Sequence, residues 1–258
     1  MGAFSILSGS RIDTDLQALP GGKVRTPISL VLPMFNESLL VDHTLQLATT
    51  LLDHAFADFE IVVADDASTD NSVELVARWV ANDPRIKLVR LPRNQMFGGA
   101  LRAGLNAATK DWLVYTDFDL PVELDSLPRL LDELHDADVL TGISDDETKH
   151  VDWKHVVISQ GYNLMVRMLF RLQLRDINFG FKTIRKSAWD RLDLRSCSPF
   201  VDAELFICAQ RLGLRIKQIP VPFSQRKLGT SHMRRPDIIA QTMLDMLKLR
   251  LRLWRRAP

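Results

Sequence analysis

Apolar residues in this chain of 258 residues gather into short unbroken runs, separated by longer stretches with helical spacing. The runs are Ile28-Ser-Leu-Val-Leu-Pro33, Phe59-Glu-Ile-Val-Val-Ala64, Ile86-Lys-Leu-Val-Arg90 and Trp112-Leu-Val-Tyr-Thr116. Runs of this length without alternation are expected of strands buried on both faces of a parallel sheet. Between them the spacing predicts three helices: Ser38 to about Leu52, Ser72 to about Ala81, and Gly98 to about Thr109. Asn71 and Glu74 fit a helix cap with its reciprocal partner. The β-α-β-α-β-α-β order over Ile28 to Asp119 predicts an α/β fold: a Rossmann-like, doubly wound, mostly parallel sheet flanked by helices.

The second half is more polar. The pattern predicts a helix over Asp125 to His135, a strand over Ala137 to Gly142 and a mobile polar loop over Ser144 to Asp152. Trp153 to Leu172 reads as an amphipathic pair of helical segments, with His155, Ser159 and Asn163 on one face. A turn at Asp176 to Gly180 leads into a short strand, and a helix opens at Phe200 with Asp202 and Glu204 in its first turn. Two prolines mark Ile216 to Phe223 as an edge strand. A basic helical segment over Ile238 to Trp254 closes the chain. The expected organisation is an arm over 1–27, one α/β unit over 28–235 and a basic C-terminal helix over 236–258.

The candidate chemistry sits at the strand ends. Asp117 and Asp119 close the fourth run. As strand positions i and i+2 they would face the same way, at the carboxyl end, where open α/β sheets bind ligands. Two close carboxylates call for a cation or for hydrogen-bond donors. Their hard oxygens suit Mg2+ or Mn2+. Asn36 and Glu37 follow the first strand, and Asp65 and Asp66 the second; carboxylates there can accept from the hydroxyl and N–H groups of a nucleoside. Each has a plainer reading, since Asp is common in turns and Glu37 would complement a helix dipole. Gly98 and Gly99 at a helix start allow close backbone approach. No Gly-x-Gly-x-x-Gly is present, which argues against a dinucleotide site.

Composition narrows the classes. The chain is 46% hydrophobic and 25% charged, with a net charge of +1. From Arg226 to Pro258 nine Lys and Arg face Asp237 and Asp245, so this segment carries +7 and the rest −6. Such a tail suits an anionic partner, either phosphate or a membrane surface. It is Leu-rich with one Trp, a poor match to nucleic-acid binding. Cys197 and Cys208 lack metal spacing. The longest stretch without Asp, Glu, Lys or Arg, His155 to Val166, is too short for a membrane span. No signal pattern opens the chain, so the expectation is a cytoplasmic protein, soluble or peripheral to the membrane.

Taken together the motifs resemble family 2 glycosyltransferases. Pro33-Met-Phe-Asn36-Glu37 is similar to their first-strand Pro-x-Tyr-Asn-Glu, Asp65-Asp66-Ala67-Ser68 to their Asp-Asp-Gly-Ser, and Asp117-Phe-Asp119 to their Asp-x-Asp. The second half resembles the dolichol- or polyprenol-phosphate mannose synthases and their relatives. It does so through Ser159-Gln-Gly-Tyr-Asn163, Asp176-Ile-Asn-Phe-Gly180-Phe181-Lys182, Asp202-Ala-Glu204 and Arg226-Lys-Leu-Gly229-Thr-Ser231-His232. The resemblance implies a GT-A-type fold, a nucleotide-sugar donor (a GDP- or UDP-hexose), Mg2+ or Mn2+, and inversion at the anomeric carbon. It assigns Pro33, Asn36, Glu37, Asp65, Asp66, Gly98 and Gly99 to the donor, and Asp117 and Asp119 to metal, diphosphate and sugar. His155, Ser159, Lys182, Arg226 and His232 fall to the acceptor or to phosphate.

Three readings follow. The first is hexose transfer to a polyprenyl phosphate lipid at a membrane surface, and it leaves room for a membrane-spanning partner subunit. A lipid monophosphate with a second pKa of about 6 is largely a dianion at neutral pH and needs cations rather than a base. The second is transfer to a saccharide or small-molecule hydroxyl, which needs a carboxylate base, with Asp202 or Glu204 as candidates. The third is a non-catalytic nucleotide-sugar-binding subunit, against which Asp117 and Asp119 argue.

Overall fold

The computed structural model describes residues 23–120, 127, 136–144, 153–221 and 236–255, without the side chains of 144 and 153–160. The strands are β1 (Ile28–Met34), β2 (Phe59–Asp65), β3 (Ile86–Arg90), β4 (Trp112–Thr116), β5 (Val139–Ser144), β6 (Phe181–Arg185) and β7 (Ile216–Val221). They form one sheet in the order β3-β2-β1-β4-β6-β5-β7. Only β6 runs against its neighbours, antiparallel to both β4 and β5. The described helices are α1 (Val41–Ala55), α2 (Ser72–Asn82), α3 (Met96–Ala107), α4 (Trp153–Phe170), α5 (Lys186–Trp189), α6 (Val201–Arg211) and α7 (Pro236–Trp254). None is long and apolar enough to cross a membrane. Of the expected helix over Asp125 to His135 only Leu127, helical and buried, is described; the rest of it and the loop over 145–152 lie outside the described residues.

Alternation along the strands builds two cores. Leu30 and Leu32 of β1 and Val114 of β4 join α1 on one face. Val31 of β1 and Leu113 and Tyr115 of β4 join α3, α6 and α7 on the other. β1, β2 and β4 are thus covered on both sides, as expected for a parallel sheet, whereas β3 at the sheet's edge is only partly buried.

Pairing also opens the site. β1 follows β2 to Met34 but pairs with β4 only as far as Val31, opposite Tyr115. Beyond that register the carboxyl ends of β1 and β4 part. The chain runs outward from β1 through β2 to β3 and then crosses back to β4, so this crevice is the topological switch point of the sheet. Pro33 lies inside β1, paired with Ala64, and does not end the ladder as its lack of an N–H suggests. It sits where pairing with β4 has already ceased.

Three local expectations change. Trp153 to Phe170 is one helix, not a pair. The Asn71 side chain does not cap α2; Asp70 takes its place, accepting from the Ser72 N–H at 3.0 Å. β4 ends at Thr116, and residues 117–119 form a turn closed by Leu120 N–H donating to the Asp117 carbonyl at 3.0 Å. Asp117 and Asp119 therefore do not face one way by strand alternation. Instead the buried Phe118 anchors the turn in the core, with its carbonyl accepting from the Thr44 hydroxyl at 2.9 Å. That leaves Asp117 exposed and Asp119 half-buried on either side of it.

Helix α7 packs on the body through Met246 and Leu249. Its buried Asp245 accepts from the N–H groups of Cys197 (2.9 Å) and Ser198 (3.0 Å). Arg252 pairs with buried Glu204 of α6. Replacing Asp245 by Ala strands two inward-facing N–H groups, a loss of about 2 kcal/mol. Thermal unfolding should show the midpoint lowered by roughly 4–8 °C.

Candidate active site

Three strand ends meet at the crevice. After β1, Asn36 takes a left-handed conformation (φ 55°). Its Oδ1 accepts from Thr69 N–H at 2.8 Å, while its own N–H donates to the Ser68 hydroxyl at 2.9 Å. Glu37 N–H donates to the Ser72 hydroxyl at 3.0 Å and Ser38 N–H to the Asp70 carboxylate at 3.2 Å. These bonds stitch the β1 loop to the β2 loop along its length. Asn36 thus serves as a clamp between two loops, which backbone spacing alone does not reveal.

After β2 come two buried carboxylates in different settings. Asp65 accepts from the Ser68 N–H at 3.1 Å and lies 3.5 Å from the Arg90 guanidinium. It shapes the turn that Ala67 completes at φ 59°. Asp66 accepts from Gln95 N–H at 2.6 Å, at the start of α3. Burial raises its pKa to about 6, helped by the adjacent Asp65 and opposed by the Gln95 and Met96 N–H groups.

After β4, Asp117 and Asp119 stand beside the β1 loop, since β4 is the neighbour of β1. Beneath them is a buried network that the sequence does not announce. Tyr115, two residues before Asp117, donates its hydroxyl to Asp202 Oδ1 at 2.6 Å. Lys182, opposite Tyr115 in the β4–β6 register, pairs with Asp202 Oδ2 at 3.1 Å and donates to the Phe179 carbonyl at 2.6 Å. Its ammonium also lies 5.2 Å from the centre of the Tyr115 ring. Burial, then Asp202, then Asp117 hold the Tyr115 phenol well above its ordinary pKa, so it stays a donor. The signal in the sequence was a tyrosine inside an apolar strand, whose hydroxyl must find a partner.

Four site expectations need correction. Lys182 is wholly buried; it neutralises Asp202 and does not face an acceptor phosphate. Glu204, two residues from Asp202 on α6, points elsewhere. Its carboxylate accepts from Arg195 N–H (2.9 Å) and Ser196 N–H (2.7 Å) and pairs with Arg252, so it anchors rather than acts as a base. Gly98 is required by packing: a Cβ there would lie 2.4 Å from the Ser196 carbonyl oxygen, and its N–H donates to the Cys197 carbonyl at 2.7 Å. The space at Gly99 is taken by the Gln95 side chain.

On the acceptor side, α4 carries His155, Ser159 and Asn163. The side chains of His155 and Ser159, and the whole of Arg226 and His232, lie outside the described residues. Asn163 is buried rather than facing water, and its Oδ1 has no hydrogen-bond partner among the described residues.

A family model described as "Glycosyl transferase family 2" matches residues 29–192. Glycosyltransferase AglD of Haloferax volcanii is 33% identical over 207 residues, 77% of this chain and 33% of that protein. The chain thus spans a third of the length of that relative. Undecaprenyl-phosphate mannosyltransferase of Micrococcus luteus is 29% identical over 217 residues, 79% of this chain and 86% of that protein. The crystal structure of glucosyl-3-phosphoglycerate synthase from Mycobacterium tuberculosis, in complex with Mn2+, UDP and glucosyl-3-phosphoglycerate, matches with a TM-score of 0.65 at 18% identity. It covers 96% of this chain and 86% of that one. That likeness shows the fold, which is the GT-A type.

The raised pKa of Asp66 has a definite sign. A carboxyl whose folded pKa exceeds its unfolded value stabilises the fold at low pH, and that contribution is lost as pH rises towards about 6. Asn at position 66 keeps the acceptor for Gln95 N–H and carries no charge. The unfolding midpoint of Asp66→Asn relative to the parent should therefore rise from about pH 4 to about pH 6 and level off above. Midpoints measured across that range check it.

Proposed function

The chain belongs to glycosyl transferase family 2, and on that premise we propose that it moves a hexose, mannose or glucose, from a nucleotide-sugar donor to a polyprenyl phosphate at a membrane surface. One observation supports the donor half: the mutually clamped β1 and β2 loops and the β4 turn that carries Asp117 and Asp119 follow the carboxyl ends of neighbouring strands, at the crevice between β1 and β4. Asp66 and the β1 and β2 loops would hold the nucleoside, with Asp117 and Asp119 beside the diphosphate and sugar. Support for the acceptor comes from the likeness to an undecaprenyl-phosphate mannosyltransferase along most of both chains.

The donor set fits a hard divalent cation. Among the described residues no group of three or more His, Cys, Asp or Glu could hold a metal ion. Asp117 and Asp119 would therefore supply two positions, leaving the others to water and donor phosphates, the habit of Mg2+ and of Mn2+ in such sites. When bound, the ion supplies positive charge to the leaving diphosphate. An acceptor phosphate oxygen forms a bond to the anomeric carbon as the bond to the nucleoside diphosphate breaks, and the carbon inverts.

The state of Asp202 favours phosphate over hydroxyl acceptors. Both of its oxygens are engaged, one by the Tyr115 hydroxyl and the other by the Lys182 ammonium. It is badly placed to take a proton. A phosphate dianion brings no proton to remove. Attachment to the membrane would be peripheral, with the acceptor reached from the surface.

The test feeds GDP- and UDP-hexoses with labelled sugar, polyprenyl phosphate and Mn2+, and counts organic-extractable label. Asp117→Asn and Asp119→Asn should each lower transfer by about a hundredfold or more with unchanged unfolding midpoints. Transfer at parental rates in both variants, or label that goes only to water-soluble acceptors, contradicts the reading.

A further inference from the structure

Helix α7 is amphipathic with its faces reversed. The inward face carries Asp245 and Arg252, bonded to the body, beside Met246 and Leu249. The outward face carries Ile239, Met243, Leu247, Leu251 and Trp254, which are 45–74% exposed. Steps of four, four, four and three residues put these five on one stripe. Exposed Lys248 and Arg255 border it on one side and Arg250 on the other. Near its end, the last turn of α4 exposes Met168 and Leu169, which share a cavity with Arg250 and Leu253 of α7.

Between the ends of α4, α6 and α7 lies a cavity of about 500 Å3. Its lining includes Arg171, Arg211 and Arg250 together with Met168, Ile207 and Leu253, and no acidic residue. A continuous apolar stripe on a water-facing helix is unusual unless it docks on something. Cations along its borders fit an anionic lipid surface, where apolar side chains enter the acyl boundary and guanidinium groups meet phosphates. A second copy on the same face is the competing occupant, and the solution state of the parent distinguishes it.

We propose that the outward face of α7, with the last turn of α4, docks on an anionic lipid bilayer, and that the three-arginine cavity receives a headgroup phosphate. The proposal deepens the lipid-acceptor reading and rests on it for its purpose: the face holds the catalytic body to the surface in which the acceptor is embedded. Removing α7 is not a fair test, since Asp245 and Arg252 would be lost with it.

The test is flotation of the full chain with phosphatidylcholine vesicles, with and without phosphatidylglycerol, in the absence of donor and acceptor. The parent should float with the anionic vesicles, less with neutral ones, and less at high salt. Leu247→Gln with Leu251→Gln, and separately Arg171→Gln with Arg250→Gln, should each weaken binding roughly tenfold or more with unmoved unfolding midpoints. No flotation of the parent, or flotation of both variants to the same extent as the parent, overturns the proposal. So does a dimer in solution that the double leucine variant dissolves while no vesicle is bound. Because no sugar is transferred, failure here leaves the transfer reaction standing, and failure of transfer leaves this result intact.

Discussion

Lys182 is a cation with no access to water, placed near the middle of the sheet on the one strand that runs against its neighbours. A buried ammonium persists only with an opposite charge and further acceptors beside it. Asp202 supplies the charge, and the Phe179 carbonyl the second acceptor. The same Asp202 takes the Tyr115 hydroxyl, so β4, β6 and α6 are locked together two residues below Asp117. Removing either charge would leave the other buried and unpaired, at a cost of about 3–5 kcal/mol. The exposed carboxylate at the crevice thus stands on a floor whose charges are already balanced, and a divalent cation or a donor would meet Asp117 and Asp119 rather than the layer beneath.

A second chain of contacts links the far side of the molecule to the donor side. Asp245 on α7 holds the N–H groups of Cys197 and Ser198. The Cys197 carbonyl holds Gly98 at the first turn of α3, and Gln95 just before it holds Asp66. Each step is a backbone bond to a buried or packed group, so the start of α3 is fixed from both directions. The inner face of α7 is therefore part of the scaffold of the crevice between β1 and β4, while its outer face is left open. Asp245 and Arg252 point inward on this helix, while Leu247 and Leu251 point outward.

The strands were legible because apolar runs leave few alternatives, and the strand ends named acidic residues that follow β1, β2 and β4. Periodicity could not tell which of those residues serve the fold. Lys182 and Glu204 look like binding or catalytic groups in a motif, yet each is consumed by buried partners from distant parts of the chain. Gly98 and Gly99 look like phosphate-binding glycines, yet a carbonyl from residue 196 and the Gln95 side chain fill their space. The alternating Leu and basic residues at the end of the chain give no clean face on paper. The split into faces appears only once the body shows which side it covers. Tyr115 was passed over because a tyrosine in an apolar run reads as core, and its partner lies 87 residues away.

A nucleotide held by Asp66, Asp117 and Asp119 at the crevice between β1 and β4 would stabilise the fold. The most direct measurement is the shift in thermal unfolding with GDP, UDP, CDP and dTDP, each with Mn2+ and each with chelator. The account predicts a rise for one nucleotide that requires the metal and disappears in Asp117→Asn. No rise with any of the four, or a rise that neither chelator nor the substitution reduces, would contradict it.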